Sequence, residues 1–185
     1  MTLKEMQKKV LALIEEVSDS DDKLTDDPDI EAKLNDVINQ INNELARMKR
    51  IPVRETMPVT EHMLEFDMKD LDGFYMLDSL KFIDEDDEEQ EVDIFGTFAT
   101  FPCIGTAKFN YYKLPDEIKS TTSGSYTFEL DDDALSIMPY GVAGDILKSD
   151  VSNSYGTIYS NRYEQLKQGL DPRSSTGQIY IEGGI

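Results

Sequence analysis

The chain has 185 residues, a formal net charge of −20 at pH 7 and 39% hydrophobic residues, enough for one domain or two small lobes. The excess of acids argues against binding to nucleic-acid phosphates or to anionic membranes, because both need Lys and Arg. A single cysteine excludes an intrachain disulfide and favours a reducing compartment. There is no apolar run of membrane-spanning length and no signal-peptide block, so we expect a soluble protein made and used in a cytoplasm.

Two amphipathic helices are predicted in the first 50 residues. The first has apolar residues at helical spacing from Leu3 to Val17. The second begins at Pro28, with Asp27 as its cap, and ends near Lys49. Their nearly heptad spacing predicts that they pair as a hairpin or bury their apolar stripes on later helices.

From Ile51 the pattern changes to short β-like segments separated by Gly and Pro. Strands are predicted at residues 74–83, 92–101 and 106–114, which indicates a small antiparallel sheet, sandwich or barrel. An acidic run lies between the first two strands, and because it repels itself we expect it at an exposed hairpin tip. Its acids are Asp84, Glu85, Asp86, Asp87, Glu88, Glu89 and Glu91.

Residues 126–130 alternate with period two and predict a strand. The three aspartates at 131–133 predict the N-terminus of a helix, in which Pro139 should cause a kink. Gly141 and Gly144 follow Pro139 and would let another backbone approach closely. We therefore assign Pro139, Gly141 and Gly144 to a packing or oligomer interface.

A last helix, capped by Ser149 or Asp150, should end near Gly169. Tyrosines recur along it every four residues, and we place them in the same packing or oligomer interface as the glycines. They are Tyr155, Tyr159 and Tyr163, with Ile158 beside them.

The segment after Pro172 is too short to fold alone. One reading is a terminal strand that completes a sheet in another subunit, and an equally weighted reading is a frayed tail or an added edge on the chain's own β lobe. Its apolar residues are Ile179, Tyr180, Ile181 and Ile185.

Together these patterns predict an α+β fold in which N- and C-terminal helices form a helical bundle, with an inserted small antiparallel β domain and an extended C-terminal tail. The predicted helical domain comprises residues 1–50 and 131–171, the inserted β domain residues 51–130, and the tail residues 172–185.

No catalytic constellation is evident in the sequence. His62 is the only histidine, and Cys103 lacks a second histidine that would activate it, so we read them as a surface or packing residue and a buried thiol. The turn at residues 70–73 resembles part of a calcium loop but lacks acids at the first and last ligand positions. No glycine-rich phosphate loop is present. We therefore predict a protein that is not an enzyme, with no catalytic residue, metal site or cofactor.

Several segments resemble the head–tail connector (adaptor) proteins of tailed phages and prophages. The resemblance covers roughly residues 100–185, and the two N-terminal helices agree in architecture. The segments are FNYYKLP at 109–115, YTFELDDDAL at 126–135, MPYGVAGDILKSD at 138–150, YSNRYEQL at 159–166 and YIEGGI at 180–185.

This resemblance implies a virion protein of the phage neck, assembled in the bacterial host cytoplasm. It implies a homo-oligomeric ring, usually dodecameric, that contacts the portal protein and a stopper or tail protein and continues the DNA channel. It also implies that residues 176–185 dock on the portal. DNA would pass without specific binding, because an acidic lining repels phosphates, and no membrane is involved.

The sequence is also consistent with three other hypotheses. The net charge suits an acidic inhibitor that mimics DNA and occupies a nucleic-acid-binding enzyme, although no regular acidic ladder is visible. A tail-completion protein of the same virion neck is a close neighbour of the connector reading. A metal-dependent hydrolase with clustered acids is disfavoured, because metal-ligand spacing is lacking.

Overall fold

The computed structural model describes residues 1–20, 23–148 and 154–170. These residues form an α+β structure with four α-helices and two antiparallel sheets. The helices are α1 (Leu3–Leu13), α2 (Pro28–Lys49), α3 (Asp132–Leu147) and α4 (Ser154–Lys167). The strands are β1 (Ile51–Val59), β2 (Glu65–Asp67), β3 (Phe74–Asp84), β4 (Glu89–Gln90), β5 (Asp93–Phe95), β6 (Phe98–Thr100) and β7 (Gly105–Lys113).

The described residues divide into two compact units. A helical unit comprises residues 1–49 and 115–170, and a β unit comprises residues 50–114. Residues 115–130, which the sequence analysis placed in the inserted domain, thus lie in the helical unit. Ile118 is buried there, and its backbone N–H and C=O both bond the Asn39 side chain of α2 at 2.8 Å.

The predicted helical bundle is wrong. The helices do not line up along one shared seam, because α1, α2 and α4 each pack chiefly on α3. α3 can receive neighbours on several sides, since ten of its sixteen residues are buried, whereas a bundle helix buries a single stripe. Of the two alternatives expected for α1 and α2, the structure shows the second: both helices bury their apolar stripes on a later helix, α3. A side-chain hydrogen bond from Gln7 to Asn35, 2.9 Å long, also joins α1 to α2.

Local signals at the helix starts agree with the structure. The Asp27 carboxylate accepts from the backbone N–H of Asp29 at 2.8 Å, and Pro28 is the first residue of α2. Asp131 caps α3 by accepting from the Ala134 N–H at 3.0 Å. The same carboxylate lies 3.0 Å from the buried ammonium of Lys49, which joins the end of α2 to the start of α3.

Two strand predictions need correction. Residues 126–130 form no strand. A single β-bridge joins Thr2 to Thr127, while Phe128 and Leu130 are buried in the helical unit. The alternation is therefore that of an extended segment lying on a core, without a ladder of its own. The strand predicted at residues 92–101 is instead the hairpin β5–β6, whose turn contains Gly96 at φ 63°.

The β unit consists of two sheets around one apolar core. The larger sheet has the order β1-β7-β3-β4 and the smaller one β2-β6-β5. Phe82 and Phe101 lie at the centre of the core with ring centroids 5.1 Å apart. β1 was not predicted, because its two prolines argue against a central strand. β1 is in fact an edge strand, paired with β7 alone.

Candidate functional site

Gly141 and Gly144 allow close helix packing within the chain. A Cβ atom on Gly144 would lie 2.6 Å from Ser160 Oγ and 2.9 Å from the Ser160 backbone nitrogen. A Cβ atom on Gly141 would lie 3.0 Å from the ring of Tyr163. Gly144 therefore admits the backbone of the chain's own α4, whereas Gly141 admits the side chains of Tyr163 in α4 and Ile41 in α2. Pro139, on the same helix, is buried as well.

The three tyrosines of α4 have different surroundings. Tyr163 is buried against α3. Tyr159 is half-buried, and its hydroxyl donates to the backbone carbonyl of Leu13 at 2.7 Å, which ties α4 to the end of α1. Tyr155 stacks on Tyr159 with centroids 6.5 Å apart and remains 61% exposed. Of the predicted interface tyrosines, Tyr155 is the one that presents most of its ring to solvent.

A cation fixes the other end of α4. Lys167 Nζ lies 2.6 Å from carboxylate oxygens of both Glu44 and Glu164, and 4.8 Å from the ring centroid of Tyr163. Burial raises the pKa of the Tyr163 phenol, and the negative charge of Glu44 raises it further. The folded chain therefore holds this phenol in its neutral form.

This arrangement predicts alkaline destabilisation. The pKa of Tyr163 is higher in the folded than in the unfolded chain, so its contribution to stability is complete below about pH 10 and declines as the pH rises above that value. Tyr163→Phe keeps the ring and removes the titration, so urea midpoints measured between about pH 9 and 12 should fall less steeply. Tyr155→Phe is the matched control with an exposed ring. Equal slopes for wild type and Tyr163→Phe would contradict the prediction.

One face of α4 is exposed and partly apolar. Tyr155, Ile158 and Arg162 recur at spacings of three and four residues, so they form one line on the helix surface. Ile158 is 54% exposed. We call these three residues the α4 stripe. The stripe contains a cation and no acid.

A second exposed apolar surface lies on the smaller sheet of the β unit. Paired residues of neighbouring strands point to the same face, and faces alternate along a strand. Phe66 and Ala99 face the core, with the Phe66 and Phe109 rings 5.6 Å apart. The opposite face consists of two rows, Glu65–Thr100–Asp93 and Asp67–Phe98–Phe95.

Aromatic rings and carboxylates are neighbours on that outer face. Phe95 is 85% exposed and Phe98 is 44% exposed. Glu65 and Asp93 flank Thr100 and are both exposed. We call Glu65, Asp93, Phe95 and Phe98 the acid–aromatic face. Half-buried Asp67 also lies on it, but its carboxylate accepts from the Lys69 backbone N–H at 3.1 Å, which lowers the pKa of Asp67.

The acid–aromatic face does not follow from the sequence prediction. A single strand over residues 92–101 hides the reversal of the chain at Gly96. The usable signal was a glycine between two short alternating runs, Asp93–Phe95 and Phe98–Thr100, as expected of a hairpin. The predicted strands did not include β2, and its pairing with β6 joins segments that are distant in sequence.

The acidic run forms the turn between β3 and β4. Asp84 organises this turn, because its carboxylate accepts from the backbone N–H groups of Asp86 at 3.0 Å and Glu88 at 2.9 Å. The hydrogen bond from Glu88 is the main cause that lowers the pKa of Asp84. The remaining acids of the run are exposed apart from local contacts such as Lys81 with Glu89 at 3.2 Å.

The other candidates lie in unremarkable surroundings. His62 is exposed in a turn, and Cys103 is half-buried against the core of the β unit, where a buried thiol was expected. Residues 70–73 form a turn in which Gly73 has φ 60°. Within the described ranges, no group of three or more His, Cys, Asp and Glu side chains is placed to hold a metal ion. In the same ranges no helix is long and apolar enough to cross a membrane.

Some predictions fall outside the described residues. They concern the helix cap at Ser149 or Asp150 and the portal-docking tail, with Ile179, Tyr180, Ile181 and Ile185. Comparison of the chain with protein-family models and with curated proteins found no match. The candidate site is therefore defined by the chain's own surfaces, the α4 stripe and the acid–aromatic face.

Proposed function

We propose that this chain is a structural virion protein, a head–tail connector (adaptor). In this proposal it forms a homo-oligomeric ring, dodecameric by the resemblance, between the portal and the stopper or tail protein, and has no enzymatic activity. The observation that supports assembly is the exposure of large apolar side chains in both units. Phe95 is 85% exposed, Tyr155 61% and Ile158 54%, and clustered exposed apolar residues are typical of interaction surfaces.

In the described part of the resembling segments, several positions of β7 and α3 lie in the interior of their units. Phe109, Tyr111 and Tyr112 of β7 are buried, as are Met138 and Val142 of α3. These five residues are therefore packing positions, which favour a related fold and contribute no contact to a partner. For this reason the proposal depends on the exposed surfaces and on the charge.

The net charge of −20 supports a role around passing DNA. Phosphates are repelled by carboxylates, and binding requires neutralisation by Lys or Arg. A channel with acidic walls lets DNA move without specific binding. We accordingly place the protein in the virion neck, after assembly in the bacterial host cytoplasm and without a role for a membrane.

The acidic DNA-mimic inhibitor remains the rival from another class. The observation that favours it is the exposed acidic turn between β3 and β4. A mimic would act as a discrete particle that blocks a DNA-binding enzyme, whereas a connector must assemble. A tail-completion protein of the same neck would also assemble, but with the tail and not with the portal.

The test is assembly, measured by light scattering coupled to size exclusion and by negative-stain images with a portal protein. We expect rings, and portal-bound rings in the mixture. A chain lacking residues 178–185 should still form rings but lose portal association. A protein that stays monomeric at high concentration, ignores the portal and blocks a DNA-binding enzyme would contradict the connector and support the mimic. Rings that bind a tail tube and not a portal would favour tail completion.

A further inference from the structure

The two exposed apolar surfaces have opposite charge. The α4 stripe joins Tyr155 and Ile158 to the cation Arg162. α4 as a whole has two bases and one acid, on a chain with 38 acids and 18 bases. The acid–aromatic face has no base among its four residues. Each surface thus offers apolar area together with a charge that the other surface complements.

Contact between two copies through the same surface is unfavourable. If two acid–aromatic faces met, Glu65 and Asp93 of one copy would approach the same acids of the other, and like charges across an interface weaken it. Two α4 stripes would likewise bring Arg162 against Arg162. Contact between unlike surfaces pairs the Phe95 and Phe98 rings with Ile158 and Tyr155. It also places the acids of one copy next to the cation of the other.

We propose that the acid–aromatic face of one copy binds the α4 stripe of the next copy. Phe95 is the expected anchor, because aromatic residues contribute most to binding at interfaces and its ring is the most exposed of the face, at 85%. Asp93 and Glu65 then lie against Arg162 of the neighbouring copy. Such a head-to-tail contact repeats from copy to copy and closes into a ring when the rotation allows it. This inference rests on the proposed function, for which it supplies the contact between ring subunits.

A charge exchange tests the pairing. Arg162→Glu alone, and the pair Glu65→Arg with Asp93→Arg alone, should each raise the concentration at half-assembly by on the order of tenfold or more, because like charges then meet. The triple variant restores opposite charges at every contact and should assemble nearly as wild type does. Arg54→Glu, an exposed change of the same charge on β1, is the matched control and should have little effect.

Cysteine cross-linking tests the same contact without relying on affinity. In a Cys103→Ser background, copies with Asp93→Cys mixed with copies with Arg162→Cys should form a disulfide-linked dimer on oxidation, and either variant alone should not. Far-UV circular dichroism and thermal unfolding check that each variant folds.

The outcomes separate the two proposals. The proposed subunit contact is wrong if the charge variants form rings as wild type does, or if the mixed cysteine variants do not cross-link. The connector proposal would still stand in that case, with another surface joining the copies. Cross-linking of the Asp93→Cys variant to itself would show a same-surface contact and also overturn it. A wild-type chain that never assembles overturns both proposals.

Discussion

Gly144→Leu should destabilise the helical unit by about 3 kcal/mol, the upper part of the range for overpacking a close contact. The first added carbon would already lie 2.9 Å from the backbone nitrogen of Ser160, which cannot move without α4. The gain in helix propensity on replacing glycine is about 1 kcal/mol at most and does not offset this clash. The measurement is urea unfolding followed by circular dichroism of the helices.

Gly169→Leu is the matched control for this change. A Cβ atom on Gly169 has its nearest neighbour at 3.4 Å, an ordinary contact, so the free energy of unfolding should change by no more than about 0.5 kcal/mol. Because α3 positions α4 and therefore the α4 stripe, Gly144→Leu should also impair ring formation. If the Gly144→Leu variant unfolded at the same urea midpoint as wild type, α4 would not pack on α3 through these glycines.

Phe82→Ala should cost the β unit about 3–5 kcal/mol, as is usual when a buried aromatic ring is removed from a core. Phe82 is fully buried, and its ring lies 5.1 Å from that of Phe101. The cavity lies between the two sheets and cannot close easily. Unfolding of this unit is measured by hydrogen exchange of the β7 amides, because β7 lies between β1 and β3 in the larger sheet.

Phe95→Ala removes the same side chain from an exposed position and is the control for Phe82→Ala. At 85% exposure, the Phe95 ring contributes little to folding, so stability should change by about 0.5 kcal/mol or less. Assembly should weaken, however, if Phe95 is the anchor of the subunit contact. A large loss of stability in Phe95→Ala would mean that the ring has folding contacts, and would weaken the case for an interaction surface.

Connector assembly does not require the helical bundle that the sequence suggested. A helix buried on several sides holds the other three in fixed positions, and α4 remains accessible along the α4 stripe. The proposed function is therefore compatible with the corrected helix packing, because a ring subunit needs two complementary surfaces and no particular helix topology.

Much of the local structure followed from the sequence alone. Spacing and residue type suffice to predict features that depend on neighbours within a few residues. Such features are the helix caps Asp27 and Asp131, the place of Pro28 at the first position of α2, and the acidic turn after Asp84. The close approach of another backbone was also predicted for both glycines of α3, and it is found at Gly144, whereas Gly141 meets side chains. The charge that argues against nucleic-acid binding is a property of composition.

Tertiary structure decided which partners those elements have. Residues 126–130 alternate like a strand but lie on the helical core, and residues 92–101 fold back at Gly96 to form a hairpin. The glycines of α3 meet α4 of the same chain, which leaves Tyr155, and not Tyr163, exposed. Hydrophobic periodicity indicates that one face of an element is apolar. It does not indicate whether other parts of the same chain bury that face, because burial depends on residues far away in sequence.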